Sequence, residues 1–145
     1  MNRAEAAVAN FLKGYSCSQS VLSSFGLELG LDEETCFKLG AGFGGGMGRM
    51  GLICGAVTGA IMVIGMKYGH INTDDADAKM VTYELVNEFR EEFEKRHGSI
   101  ICKEILGCDI STPEGHEEFK RKNLIEELCP KLVRAAVEIL EEIFI

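Results

Sequence analysis

Seventeen consecutive residues without a charge, Met50 to Met66, separate Arg49 from Lys67. Such a stretch must be buried somewhere. It is too short and too rich in glycine for a convincing membrane span, which needs about 20 apolar residues. The better reading is a central helix, packed on all sides, over about residues 52–68. Gly55, Gly59 and Ala60 give that helix small faces for close contact.

The rest of the chain reads as helices around it. Strand signals are poor, because no segment alternates cleanly. A first helix is expected over about 2–13, ending at Gly14. A second is expected from Ser16 to about Leu29, stopped by Gly30. Ser16 and Gln19 have capping-box spacing. A third starts at Asp32, a good N-cap, and fades into Gly40. Asn72 or Thr73 is expected to cap a long helix to His97. Its apolar stripe is Ala76, Met80, Tyr83, Val86, Phe89 and Phe93. Ser99 opens a short helix stopped by Gly107, Pro113 suits a first helical position, and the last helix starts at Pro130. The expected fold class is all-α: one domain, residues 1–145, with six to eight helices.

Charge and cysteine content narrow the function. Fifteen Lys and Arg against 23 Asp and Glu give a net charge of −8, which argues against nucleic acid or an anionic membrane as partner. The N-terminus has no apolar leader segment. Six cysteines therefore point to a cytoplasmic setting with reduced thiols rather than to three structural bridges.

Four of the six fall at expected helix starts. Cys17 follows the cap Ser16, Cys54 lies in the first turn of the central helix, and Cys102 comes three residues after Ser99. Cys129 directly precedes Pro130. Free N–H groups and the positive end of the helix dipole favour a thiolate there. Arg49, Lys103 and Lys131 would add to this. Cys36 and Cys108 have no such position and read as structural.

The loop before the central helix, residues 41–51, contains a literal GxGxxG from Gly46 to Gly51. It lacks the strand and βαβ unit of a dinucleotide site. Its glycines point instead to a tight loop with positive φ. Gly45, Gly46, Gly48 and Arg49 are its candidate ligand-binding residues, since successive amides can converge on an anion or thiolate. No CxxC occurs, but four thiolates from four helix ends have the chemistry to hold zinc or an iron–sulfur cluster. His70, His97 and His116 read as solvated or terminal residues. No Ser-His-Asp set is identifiable.

At these residues the sequence resembles the redox-active family named after its C_GCAxxG_C_C pattern. The pieces are YSCSQSVL, GFGGGMGRMGLICGAVTGA, CKEILGCDISTPEG and CPKLVRAAVEILEEI, in order over about residues 4–142. The central motif here reads Cys-Gly-Ala-x-x-Gly. The resemblance carries the family's four cysteines to Cys17, Cys54, Cys102 and Cys129. It implies thiol redox chemistry and a companion oxidoreductase or transporter system, and leaves cofactor and substrate open. Two functions follow as expectations. One is thiol–disulfide exchange or electron transfer, with Cys17 and Cys54 as the reactive pair and Cys102 and Cys129 as resolving thiols. The other is a metal-binding module with the four cysteines as ligands. A helical bundle that only binds partners is the third reading, and a homodimer is the base-rate expectation.

Overall fold

The computed structural model describes residues 1–144 and is all-α. Eight helices have five residues or more: α1 Arg3–Leu12, α2 Cys17–Gly26, α3 Glu33–Gly40, α4 Gly55–Tyr68, α5 Ala76–His97, α6 Cys102–Leu106, α7 Pro113–Arg121 and α9 Cys129–Ile143. A four-residue turn of helix, α8 Leu124–Glu127, precedes the last.

The starts follow from capping chemistry. Asn2 and Glu5 close a capping box on α1. On α2, the Gln19 amide donates to Ser16 Oγ at 3.3 Å, and the Ser16 amide donates to Gln19 Oε1 at 2.9 Å. Each box satisfies two amides that the helix leaves unpaired. Asp32 caps α3, as expected, accepting from the Thr35 amide at 2.7 Å. The α5 cap is Asp75, not Asn72 or Thr73; its carboxylate accepts from the Ala78 amide at 3.1 Å. Helix α2 also stops earlier than Leu29. The Leu29 and Leu31 amides both turn back onto the Gly26 carbonyl.

Helix α4 is the centre of the bundle. Ala56, Val57, Ala60, Val63 and Ile64 are buried among α2, α5 and α9. It is not enclosed on every side, because Ile61 and Met66 reach the surface. No helix among the described residues is long and apolar enough to cross a membrane.

The stripe expected on α5 divides. Phe89 and Phe93 are fully buried, whereas Met80 and Tyr83 are more than half exposed. Only the C-terminal half of α5 lies in the core. Helix α9 supplies the largest apolar face, with Leu132, Val133, Val137, Ile139 and Leu140 buried. Each such side chain contributes about 1.5–3 kcal/mol by leaving water.

Close contact of α2 with α4 sets the site. A Cβ at Gly59 would lie 2.9 Å from the Ser18 carbonyl oxygen and 3.2 Å from Val21 Cβ. Backbone there cannot yield cheaply. Gly59→Val is therefore expected to lower unfolding free energy by about 1–3 kcal/mol, read as a drop in the urea midpoint. A variant as stable as the parent would mean that the two helices are not held this close.

Candidate thiol site

Three local devices bring cysteines to one place. The first is the capping box of α2, which puts Cys17 at the first helical position. The second is a short antiparallel bridge between Ile53 and Ile101. Around it the Cys54 amide donates to the Ile100 carbonyl at 2.8 Å, and the Cys102 amide donates to the Leu52 carbonyl. The bridge thus ties the start of α4, capped by Cys54, to the start of α6, which begins with Cys102. The third is the break at Leu128, after which Cys129 opens α9. Pro130 is tolerated behind it because the first turn needs no amide donor there.

All four of these cysteines line a single open cleft of about 1030 Å³. The expected loop residues Gly45, Gly46, Gly48 and Arg49 line it too, together with His116, Phe119 and Lys120 of α7. Cys36 and Cys108 are buried outside that lining. Cys36 sits under Gly26, whose missing Cβ leaves room for its sulfur.

The loop has unusual backbone. Gly45, Gly46, Met47, Gly48 and Arg49 form an unbroken run of positive φ, between 60° and 71°. For Met47 and Arg49 this is a disfavoured conformation. Internal bonds hold it: the amides of residues 47–52 donate to the carbonyls of Phe43, Gly42, Gly44, Met47, Gly45 and Gly46 in turn. These six amides face their own loop. The loop gives the cleft Gly44, Gly45, Gly46 and Gly48 as wall and the Arg49 side chain beside them. The Arg49 stem lies over Gly45, where a Cβ would meet Arg49 Cγ at 2.8 Å.

The thiols are not equivalent. Burial pushes Cys54 up to about 11, against the pull of the Ala56 and Val57 amides, and the charge of Cys129 adds to the rise. Burial, with the charges of Cys54 and Cys129, pushes Cys102 up to about 12. Cys17 is raised well above the ordinary thiol range because its thiol donates to Cys129. Burial and the neighbouring sulfurs add to this. Cys129 alone is lowered, chiefly by accepting that hydrogen bond. The expectation of a thiolate at every helix start is therefore corrected for Cys17, Cys54 and Cys102. Loss of water and mutual repulsion of four sulfurs outweigh the helix ends. Helix α6, five residues long, has little dipole to offer.

Among the described residues, no group of three or more His, Cys, Asp or Glu side chains is arranged to hold a metal ion. The four cysteines share a cleft without forming a ligand set, so the zinc or iron–sulfur reading is not supported by their geometry.

Two features escape the sequence. The Ile53–Ile101 bridge is too short to leave an alternating pattern. His116, read as solvated, is half-buried in the cleft wall and stacks on Phe119 at 6.3 Å between ring centres. A signal for it existed in the spacing of His116, Phe119 and Lys120, three and four residues apart on one helix face.

The family model described as "Putative redox-active protein (C_GCAxxG_C_C)" matches residues 15–143. The chain belongs to this family. The match covers all four cleft cysteines, the glycine loop and the central helix. Neither the curated proteins nor the solved structures give a match. Each of the four cleft cysteines within the match starts or caps a separate helix.

Proposed function

We propose that this C_GCAxxG_C_C protein carries out thiol–disulfide exchange, with Cys129 as attacking thiolate and Cys17 as its resolving partner. The observation behind this reading is that Cys17 and Cys129, each opening its helix, line one cleft; their contact there raises the Cys17 thiol and lowers Cys129. A thiolate near ambient pH is the better nucleophile. This contact favours Cys17 with Cys129 over the pairing of Cys17 with Cys54 expected from the sequence.

The step balances as follows. Cys129 Sγ attacks one sulfur of a disulfide; its S–S bond breaks and one half leaves as a thiolate. That leaving thiolate takes the proton from Cys17. Cys17 Sγ then attacks Cys129 Sγ, displacing the second half. One protein thiolate and one thiol are oxidised to a disulfide, and the substrate disulfide is reduced to one thiol and one thiolate, which takes its proton from water. In reverse, the protein disulfide oxidises a dithiol. Cys54 and Cys102, joined through the backbone bridge, are the second pair within the same cleft.

Pulsed alkylation with iodoacetamide at neutral pH, followed by mass spectrometry of each cysteine, tests the assignment. Cys129 is expected to react first. Cys17→Ala removes the donor, raises the Cys129 pKa and slows its alkylation in proportion to the thiolate lost. Cys17→Ser keeps a donor and retains most of the rate. Mild oxidation with diamide should yield the Cys17–Cys129 disulfide. Equal reactivity of Cys129, Cys54 and Cys102, or no such disulfide, would sink this reading.

A further inference from the structure

The chain is strongly acidic, yet the cleft is not. Its charged lining side chains are Arg49 and Lys120, and no Asp or Glu lines it. His116, also in the wall, adds no negative charge. Most arginines and several lysines elsewhere are ion-paired: Arg3, Arg90, Arg96, Arg121, Lys38, Lys95 and Lys122 each meet a glutamate. Among the described residues, Arg49 and Lys120 form no salt bridge. Both are exposed at the cleft. Arg49 is also held there at φ 64°, a backbone cost that a glycine would avoid. Two unpaired cations from separate elements, facing one set of thiols on a protein of net charge −8, make a local field opposite in sign to the whole.

We infer that the cleft selects small thiols and disulfides that carry carboxylates, with Arg49 and Lys120 as specificity-determining residues. This rests on the thiol–disulfide reading above. The volume of about 1030 Å³ admits a ligand the size of a short peptide. Apolar wall from Ile105 and Phe119 accompanies the two cations. The carboxylates pair with Arg49 and Lys120 while the ligand sulfur reaches Cys129. The protein's outer surface repels the same ligand, so attraction is confined to the place where the thiols are.

The reduced protein is mixed with three disulfides: oxidised glutathione, which is anionic; hydroxyethyl disulfide, which is neutral; and cystamine, which is cationic. Each rate of protein thiol oxidation is divided by the rate at which dithiothreitol reduces the same compound. The normalised rate with oxidised glutathione should exceed that with cystamine by about tenfold or more at low salt, and the gap should shrink in high salt. The double reversal R49E/K120E, shown to be folded by a urea midpoint like the parent's, should invert the order. Equal normalised rates, or cystamine fastest with the parent protein, would overturn the inference. If none of the three disulfides oxidises the protein, the exchange reading falls. Calorimetry with unreactive S-methylglutathione then decides the binding claim separately. Binding weakened at least tenfold by R49E/K120E supports the anion selectivity, and no binding to the parent overturns it.

Discussion

Gly46→Ala should unfold far more easily than the parent, by about 2–5 kcal/mol, although it adds a single methyl group. Two costs add. Gly46 has a φ of 71°, which an L side chain adopts at a cost of about 1–2 kcal/mol. The new Cβ would also stand 2.6 Å from the Leu52 amide nitrogen, 2.8 Å from Cys102 Cβ and 2.9 Å from the Gly51 carbonyl carbon. Two of these neighbours are backbone, and the third is the root of a cleft thiol. Relieving such overlap costs about 1–3 kcal/mol more. It would also loosen the bond from the Leu52 amide to the Gly46 carbonyl, now 3.0 Å. Against a typical stability of about 5–15 kcal/mol the loss is large. Gly48→Ala is the control. Its φ is 60°, but nothing lies within 4 Å of its would-be Cβ. It should show the backbone cost alone. Urea unfolding of both variants, with reductant present, separates the two effects. If Gly46→Ala matches Gly48→Ala, the loop does not press on Cys102. If it falls well below, Cys102 should also become the more readily alkylated thiol, because the collision pushes it from its buried seat.

What the sequence discloses and what it hides divide along physical lines. Capping is local chemistry, so Ser16 with Gln19 and Asp32 were legible as helix starts, and Cys17 with them. Asn72 and Thr73 are followed directly by two aspartates whose side chains can cap equally well, so local chemistry no longer chooses, and the structure takes Asp75. The buried centre was legible because a charge-free run of that length has few other places to go. The glycine loop was legible as a positive-φ turn, but not the fate of its amides, which depends on which carbonyls the turn brings round. The thiol chemistry was half legible. Position at helix starts can be read along the chain, but burial and the distance between sulfurs cannot. Those two quantities reverse the expected direction for Cys17, Cys54 and Cys102. The contact that lowers Cys129 joins residues 17 and 129, and no local pattern records it. The α5 stripe shows the same limit: Met80 and Phe93 look alike in periodicity, yet only Phe93 has a neighbour to bury it.

Raising the pH should expose the cost of burying Cys54 and Cys102 side by side. Both are almost fully buried, and their thiols are held up to about 11 and about 12. In the unfolded chain they return to the ordinary value of 9.0. Between those limits the folded protein keeps protons that the unfolded chain has lost. Stability therefore falls as pH rises. The contribution is whole below about pH 9 and is lost as pH climbs through 11 and 12. From pH 8 to 10.5 the two thiols together should remove about 4 kcal/mol of unfolding free energy. Lysines and tyrosines also titrate there, so the parent alone does not isolate the effect. The comparison is with Cys54→Ala/Cys102→Ala. That variant loses some packing at every pH, but its stability should decline less between pH 8 and 10.5. Urea unfolding without oxygen, with a phosphine reductant, gives both differences. A double variant that loses as much as the parent would mean that the two thiols are not held protonated by burial. A smaller loss would also bear on the chemistry. Sulfurs this reluctant to ionise do not attack first, which supports the proposal that Cys129 opens the exchange and that Cys54 and Cys102 react after it.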